Sequence, residues 1–156
     1  MLLNTICDTG EQFSQGSRSP IAEAVFQHLV NEKGIAKDWI IDSAAIGSWH
    51  IGKQPDSRAR QILQNHKVQY NGRARQIQKN DFNEFDFIFG MDEDNMSDLE
   101  TRAPKGSKAK LLLLGEFDPQ GERIIRDPYY DDGSEGFEKC YQQCLRACGA
   151  FLEQNS

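Results

Sequence analysis

The chain has 156 residues, of which 38% are hydrophobic and 27% are charged, so we expect one soluble globular domain spanning residues 1–156. No apolar run approaches the roughly 18 residues that a membrane helix needs, so no membrane span is expected. Acidic residues outnumber basic ones, 24 to 18, and no Lys/Arg block occurs, so nucleic-acid binding is not expected. The opening residues have no basic leader or cleavage site, which favours a cytoplasmic protein.

The first half of the chain alternates strand and helix patterns. Residues 1–7 predict a short strand, and a helix is predicted with Ser19 as its N-cap and Pro20 at its first position. The segment WIIDSAA, residues 39–45, predicts a second strand. Residues 56–66 predict a helix with one apolar side.

The second half continues the alternation. Residues 85–91 and 109–115 are dense apolar runs that predict interior strands covered on both faces. An acid-started helix is predicted between them, and residues 135–153 predict a final helix. The alternation indicates a parallel sheet with helices on both faces, whose ligands would bind at the carboxyl ends of the strands where the strand order reverses.

Cysteines occur at Cys7, Cys140, Cys144 and Cys148. The last three recur every four residues in the predicted final helix, so they would share one helix stripe, and their spacing matches no common zinc pattern. We expect them to be small buried core residues, with a metal or redox role as the alternative. No metal or other cofactor is expected.

The loop after the first predicted strand, residues 8–18, ends at the amino terminus of the helix that contains Ser19. Free backbone amides and the positive end of the helix dipole form an anion seat at such a position. The sequence therefore indicates phosphate as a ligand.

From Arg18 onward the chain contains RSPIAEAVF, IDSAAIGSWHIG, ARQI, DFNEFDFIFGMDEDN, DPYY and YQQC in that order. With these motifs it resembles the low-molecular-weight protein tyrosine phosphatase family over about nine-tenths of its length. The resemblance implies a single α/β domain with a four-stranded parallel sheet. It also implies hydrolysis of a phosphotyrosine protein or a small aryl phosphate without a cofactor, and it leaves the oligomeric state open.

In that family a cysteine thiolate attacks phosphorus, and an aspartic acid protonates the departing phenol. The resemblance implies that Asp127 is the general acid, that Arg18 clamps the phosphate, and that Ser19 hydrogen-bonds the thiolate. It implies that Asp92 steadies the arginine. The residues that match the slot for the substrate's aromatic ring are Trp49, Tyr129 and Tyr130.

The phosphate-binding loop departs from the family pattern C-x5-R-S. Counting back from Arg18 at the family spacing reaches Gln12, an amide where the nucleophile belongs. That register would also put Cys7 to Glu11 in the central strand, where a Gly, a Glu and an Asp would be costly. The competing register keeps residues 1–7 as the strand and places Cys7 at its carboxyl end, but it leaves ten residues between Cys7 and Arg18. We favour this second register.

A second departure concerns the support of this loop. The family holds an Asn of the loop through a His just before the ARQI segment, and the corresponding residues here are Gln15, in the first register, and Gly72. We therefore predict an inactive or strongly impaired family member, a pseudophosphatase that keeps part of an anion pocket. Two alternatives stay open, an active phosphatase that uses Cys7 on a remodelled loop, and a true amino terminus that differs from residues 1–17.

Overall fold

The computed structural model describes the backbone of residues 2–8 and residues 18–45, 52, 54–70, 72, 75–128 and 134–155. Its strands are β1 (Leu2–Asp8), β2 (Trp39–Ala45), β3 (Phe87–Gly90) and β4 (Lys110–Leu113). Its helices are α1 (Arg18–Glu32), α2 (Ser57–Asn65), α3 (Asp81–Glu84), α4 (Glu93–Arg102) and α5 (Glu135–Asn155). Short 3-10 helices cover Ala36–Asp38 and Leu114–Phe117. None of the described helices is long and apolar enough to cross a membrane.

The strands form one parallel sheet in the order β2-β1-β3-β4, and both faces of this sheet are covered. Successive residues of β3 point to opposite faces. Phe89 lies in the larger apolar cluster, which also includes residues of α1, α2 and α5, with Phe87 packed against it. Ile88 lies in a second cluster with Phe82 of α3 and Leu99 of α4. The predicted α/β class, with helices on both faces of the sheet, is confirmed.

Phe151 of α5 is the centre of the larger cluster. Its ring centroid lies 5.0 Å from that of Phe89 and 5.1 Å from those of Phe87 and Phe117. The interplanar angles of 81° to 87° are edge-to-face arrangements, which aromatic pairs prefer. These contacts hold α5 against the sheet.

The cysteines of α5 are buried in the same cluster. Cys140, Cys144 and Cys148 each have at most 1% of their surface exposed, as expected for core residues. Burial raises the pKa of the Cys148 thiol, so this group stays protonated at neutral pH. Among the residues that the structure describes, no cluster of His, Cys, Asp and Glu could hold a metal ion.

Two strand predictions need correction. The strand predicted over residues 85–91 is shorter, because Phe85 caps the end of the one-turn helix α3, a helix that no sequence pattern predicts. The strand predicted over residues 109–115 is expected to be interior, whereas β4 is the last strand of the order and its Lys110 is exposed. Its leucines still contact both apolar clusters. The apolar run therefore indicates a strand that is covered on both faces, but it does not indicate a central position in the sheet.

The start of α1 also differs from the prediction, which has Pro20 as the first helical residue. The helix begins at Arg18, so Ser19 lies inside its first turn and is not the N-cap. Gly34 follows the end of the helix with φ +71°, a conformation that glycine adopts without strain, so it is the stop that the sequence predicted.

Candidate active site

The strand order reverses between β1 and β3, the two central strands. From β1 the chain passes through α1 to β2 on one side of the sheet, and from β3 it passes through α4 to β4 on the other. Ile6 of β1 pairs with Phe89 of β3, so the carboxyl ends of the two strands lie side by side. In open α/β sheets this is the place where ligands bind.

Arg18 and Asp92 meet at this position. The guanidinium of Arg18 donates from Nη1 to Oδ2 of Asp92 over 2.7 Å, and only 2% of the arginine surface is exposed. The other oxygen of Asp92, Oδ1, accepts from the backbone N–H of Asn95 over 2.8 Å and so caps α4. The carboxylate therefore ties the first residue of α1 to the start of α4, and it fixes the orientation of the buried arginine.

The backbone of Ile125 is the second anchor of Arg18. Its carbonyl oxygen accepts from Nη1 of Arg18 over 2.8 Å, and its N–H donates to the carbonyl oxygen of Met91 over 2.9 Å. The preceding carbonyl, that of Ile124, accepts from Nε2 of Gln143 in α5 over 3.0 Å. The segment that leads to the predicted general acid is thus held by Met91, directly after β3, by α1 and by α5.

Asp127 lies two residues beyond this anchor and is half-buried. Because Ile125 is hydrogen-bonded to Arg18 itself, the two charged residues of the predicted site belong to one connected piece of structure. The structure therefore brings together Arg18, Asp92 and the segment carrying Asp127, while the general-acid role of Asp127 stays a prediction.

Ser19 follows Arg18 in the first turn of α1 and is 2% exposed. Its hydroxyl oxygen is buried and has no hydrogen-bond partner among the described residues. Buried polar groups without a partner are rare in folded proteins, so each calls for an explanation. Backbone N–H groups in the first turn of a helix have no partner within that helix, and the positive end of the helix dipole lies at the same place. An anion bound there would accept from such donors and from the Ser19 hydroxyl.

Cys7 is the next to last residue of β1, where its backbone pairs with Ala44 of β2. The described part of β1 runs from Leu2 to Asp8. Residues 9–17 lie outside the described residues, so the choice between the two registers stays a prediction. The backbone of Cys7 lies at the switch point, with ten residues between it and Arg18. The remaining predicted positions lie outside the described residues: Gln12, Gln15, Trp49, Tyr129 and Tyr130.

One polar cluster behind the site was not predicted from the sequence. Ser43 of β2 donates to Oε2 of Glu23 of α1 over 2.8 Å, and the hydroxyl of Tyr70 is hydrogen-bonded to both side chains. Burial raises the pKa of the Glu23 carboxyl, while the hydrogen bonds from Tyr70 and Ser43 oppose this change. Burial and the neighbouring Glu23 raise the pKa of Tyr70, so its phenol is neutral and can donate. The three residues of this cluster come from three separate segments of the chain, so no local sequence pattern predicts it.

In the described part of the chain, a buried arginine, a buried hydroxyl without a hydrogen-bond partner and a helix amino terminus lie at the switch point of a parallel α/β sheet. This combination is typical of phosphate-binding sites. Comparison with known proteins identifies the family. The family model described as low molecular weight phosphotyrosine protein phosphatase matches residues 13–155.

Individual relatives agree with the family match. The low molecular weight phosphotyrosine protein phosphatase 1 of Drosophila melanogaster is 56% identical over 138 residues, 88% of each chain. The Homo sapiens low molecular weight phosphotyrosine protein phosphatase is 49% identical over 139 residues, 88% of this chain and 87% of that one.

Two crystal structures show the same fold. That of Primo-1 has a TM-score of 0.88 at 52% identity and covers 97% of this chain and 96% of that one. That of the Drosophila arginine phosphatase DARP has a TM-score of 0.89 at 35% identity, with 100% and 98% covered. The chain belongs to the low-molecular-weight phosphotyrosine protein phosphatase family.

Proposed function

We propose that this chain binds a phosphate anion or the phosphate group of an aryl ester at the start of α1, with little or no turnover. In this proposal Arg18 supplies the charge, and Ser19 and the first-turn amides of α1 supply hydrogen bonds. The names of the relatives, phosphotyrosine phosphatases, support a phosphotyrosine protein or a small aryl phosphate as the ligand. Trp49, Tyr129 and Tyr130 would line the slot for its ring, within a single domain in the cytoplasm.

The observation that carries the loss of turnover is the distance along the chain from Cys7 to Arg18. Cys7 lies at the end of β1 and Arg18 begins α1, with ten residues between them instead of the five of the family pattern. Arg18 has no freedom to compensate, because Asp92 and the Ile125 carbonyl hold its guanidinium. A ten-residue connection can close at small entropic cost, but nothing in its length directs its amides at three phosphate oxygens.

A second candidate function is an active phosphatase that uses Cys7. It is favoured by the end of β1, which puts the backbone of Cys7 beside the end of β3, at the ligand-binding edge of the sheet. In this mechanism the Cys7 thiolate would form a bond to phosphorus as the bond to the phenol oxygen breaks, and Asp127 would give its proton to that oxygen. Water would then release phosphate and regenerate the thiolate.

Hydrolysis of para-nitrophenyl phosphate by the purified chain separates the two candidates. The pseudophosphatase predicts turnover no greater than that of Cys7→Ser, because covalent catalysis contributes several orders of magnitude to the rate of such reactions. Turnover well above background that is lost in both Cys7→Ser and Asp127→Asn would overturn the first proposal and support the second.

Anion binding is tested separately from turnover. Isothermal titration with inorganic phosphate should give a millimolar or tighter dissociation constant for the native chain and no measurable binding for Arg18→Ala. The exposed Arg102→Ala variant at the end of α4 is the matched control, because it removes one arginine away from the start of α1. Equal binding by all three proteins would show that the anion does not use the proposed seat.

A further inference from the structure

Tyr70 occupies the space that any side chain at position 72 would need. A Cβ placed on Gly72 would overlap the hydroxyl oxygen of Tyr70 and would lie 2.5 Å from its ring carbon Cζ and 2.9 Å from Cε1. Real Cβ atoms do not approach other atoms so closely. A side chain at position 72 would therefore have to displace the end of the Tyr70 side chain.

The hydroxyl of Tyr70 contacts α1 through the buried Glu23. Phenol and carboxylate are hydrogen-bonded, and Ser43 of β2 completes the cluster with its 2.8 Å hydrogen bond to Glu23. Without the Tyr70 donor the desolvated carboxylate would keep fewer hydrogen bonds, which favours its protonation. A protonated Glu23 would have to donate where it now accepts, and the packing of α1 against β2 would change.

Glu23 is placed to influence the start of α1. It follows Ser19 by four residues, and residues four apart lie on the same face of a helix, one turn from each other. The buried Ser19 hydroxyl, which has no hydrogen-bond partner among the described residues, is therefore one turn from Glu23, and Arg18 is the residue before Ser19. A shift of this face by a few tenths of an ångström would misplace donors that must all reach one anion.

We propose that Tyr70 is a positioning residue of the anion site. Its hydroxyl fixes the position of the Glu23 carboxylate and, through Glu23, the orientation of the first turn of α1. Arg18 and Ser19 can then bind the same anion. The inference rests on the proposed binding of phosphate at the start of α1.

The test measures inorganic phosphate binding by isothermal titration for the native chain and for Tyr70→Phe, which removes only the hydroxyl. We expect phosphate to bind about fivefold more weakly to Tyr70→Phe, the size of effect that a residue without ligand contact can have through a hydrogen-bond network. Tyr141→Phe is the matched control, because Tyr141 is a buried tyrosine that stacks on His66 away from Glu23. Its dissociation constant should stay within about twofold of the native value.

A second readout separates positioning from a simple loss of stability. The Tyr70 hydrogen bond lowers the pKa of Glu23, so Tyr70→Phe should raise this pKa in a carboxyl carbon-13 NMR titration, while Tyr141→Phe should leave it unchanged. Gly72→Ala should reproduce both effects of Tyr70→Phe because its methyl group displaces the Tyr70 hydroxyl. Gly149→Ala, which meets no atom within 4 Å, should reproduce neither.

The outcomes distinguish this inference from the function on which it rests. Phosphate binding that Arg18→Ala abolishes, and that Tyr70→Phe and Gly72→Ala leave unchanged, would refute the positioning role and leave the anion site standing. Lower melting temperatures of these two variants without a change in affinity would refute it equally. If the native chain shows no Arg18-dependent binding, the anion site is wrong and the positioning role falls with it.

Discussion

Replacing Asp92 by asparagine tests whether the ion pair with Arg18 holds the anion site together. The change keeps the shape of the side chain and the oxygen that caps α4 through Asn95 N–H, and it removes the negative charge opposite the guanidinium. Arg18 would keep its hydrogen bond to the Ile125 carbonyl but would lose the carboxylate that balances its charge.

The expected cost follows from the burial of the two side chains. Removing one partner of a fully buried pair costs about 3 to 5 kcal/mol. The arginine side chain is 3% exposed but that of Asp92 is 25% exposed, so water screens part of the interaction. We expect Asp92→Asn to lower the free energy of unfolding by about 2 kcal/mol, and Asp92→Ala to cost about 1 kcal/mol more because it also removes the helix cap.

Urea unfolding followed by circular dichroism measures these differences. The slope of the unfolding free energy against urea concentration should stay unchanged if the variants keep the native fold. Asp94→Asn is the matched control, because it removes an exposed carboxylate from the first turn of the same helix and should cost no more than about 0.5 kcal/mol. A double-mutant cycle with Arg18→Met should give a coupling free energy of at least about 1 kcal/mol. A cost of Asp92→Asn equal to that of Asp94→Asn, with no coupling, would refute the reasoning.

Other expected outcomes concern packing, pH and thiol reactivity. Gly115→Ala should destabilise the fold by about 2 kcal/mol or more in urea unfolding, because its Cβ would overlap loop backbone, whereas Gly149→Ala in α5 should be neutral or stabilising. Hydrogen bonds from Arg146 hold the pKa of Asp118 below its ordinary value, so this group stabilises the fold above about pH 4 and loses its contribution as the pH falls through its folded pKa. Asp118→Asn should therefore cost more at pH 7 than at pH 2, and an equal cost would contradict this. In the native chain iodoacetamide should spare the buried cysteines of α5, including Cys148, until urea unfolds it, and mass spectrometry of the labelled peptides shows whether it does.

Local patterns were sufficient for the regular elements. The segment WIIDSAA is β2 to the residue, and the pattern over residues 56–66 is α2 with Asp56 and His66 as its caps. The three cysteines of α5, which are spaced four residues apart, correctly predicted a buried helix face. Such elements are predictable because side-chain periodicity and caps are properties of neighbouring residues.

Elements and contacts that depend on distant residues escaped prediction. The single turn α3 is too short to show a helical period, and the edge position of β4 depends on which strands pair and not on its own residues. The contact of Arg18 with the Ile125 carbonyl joins residues 107 positions apart and involves a backbone atom, which carries no sequence signature. The same holds for Tyr70, whose hydrogen bonds join three segments.

The amino-acid sequence alone determined the family, the α/β class, the order of the elements and the departure from the C-x5-R loop, because each of these is recorded in residue types and their spacing. Only the tertiary structure decided that Asp92 and Ile125 share the guanidinium of Arg18 and that Tyr70 fills the space at Gly72. The physical reason is that burial and hydrogen-bond geometry depend on which distant segments the folded sheet brings together, whereas periodicity and motif spacing are local to the chain.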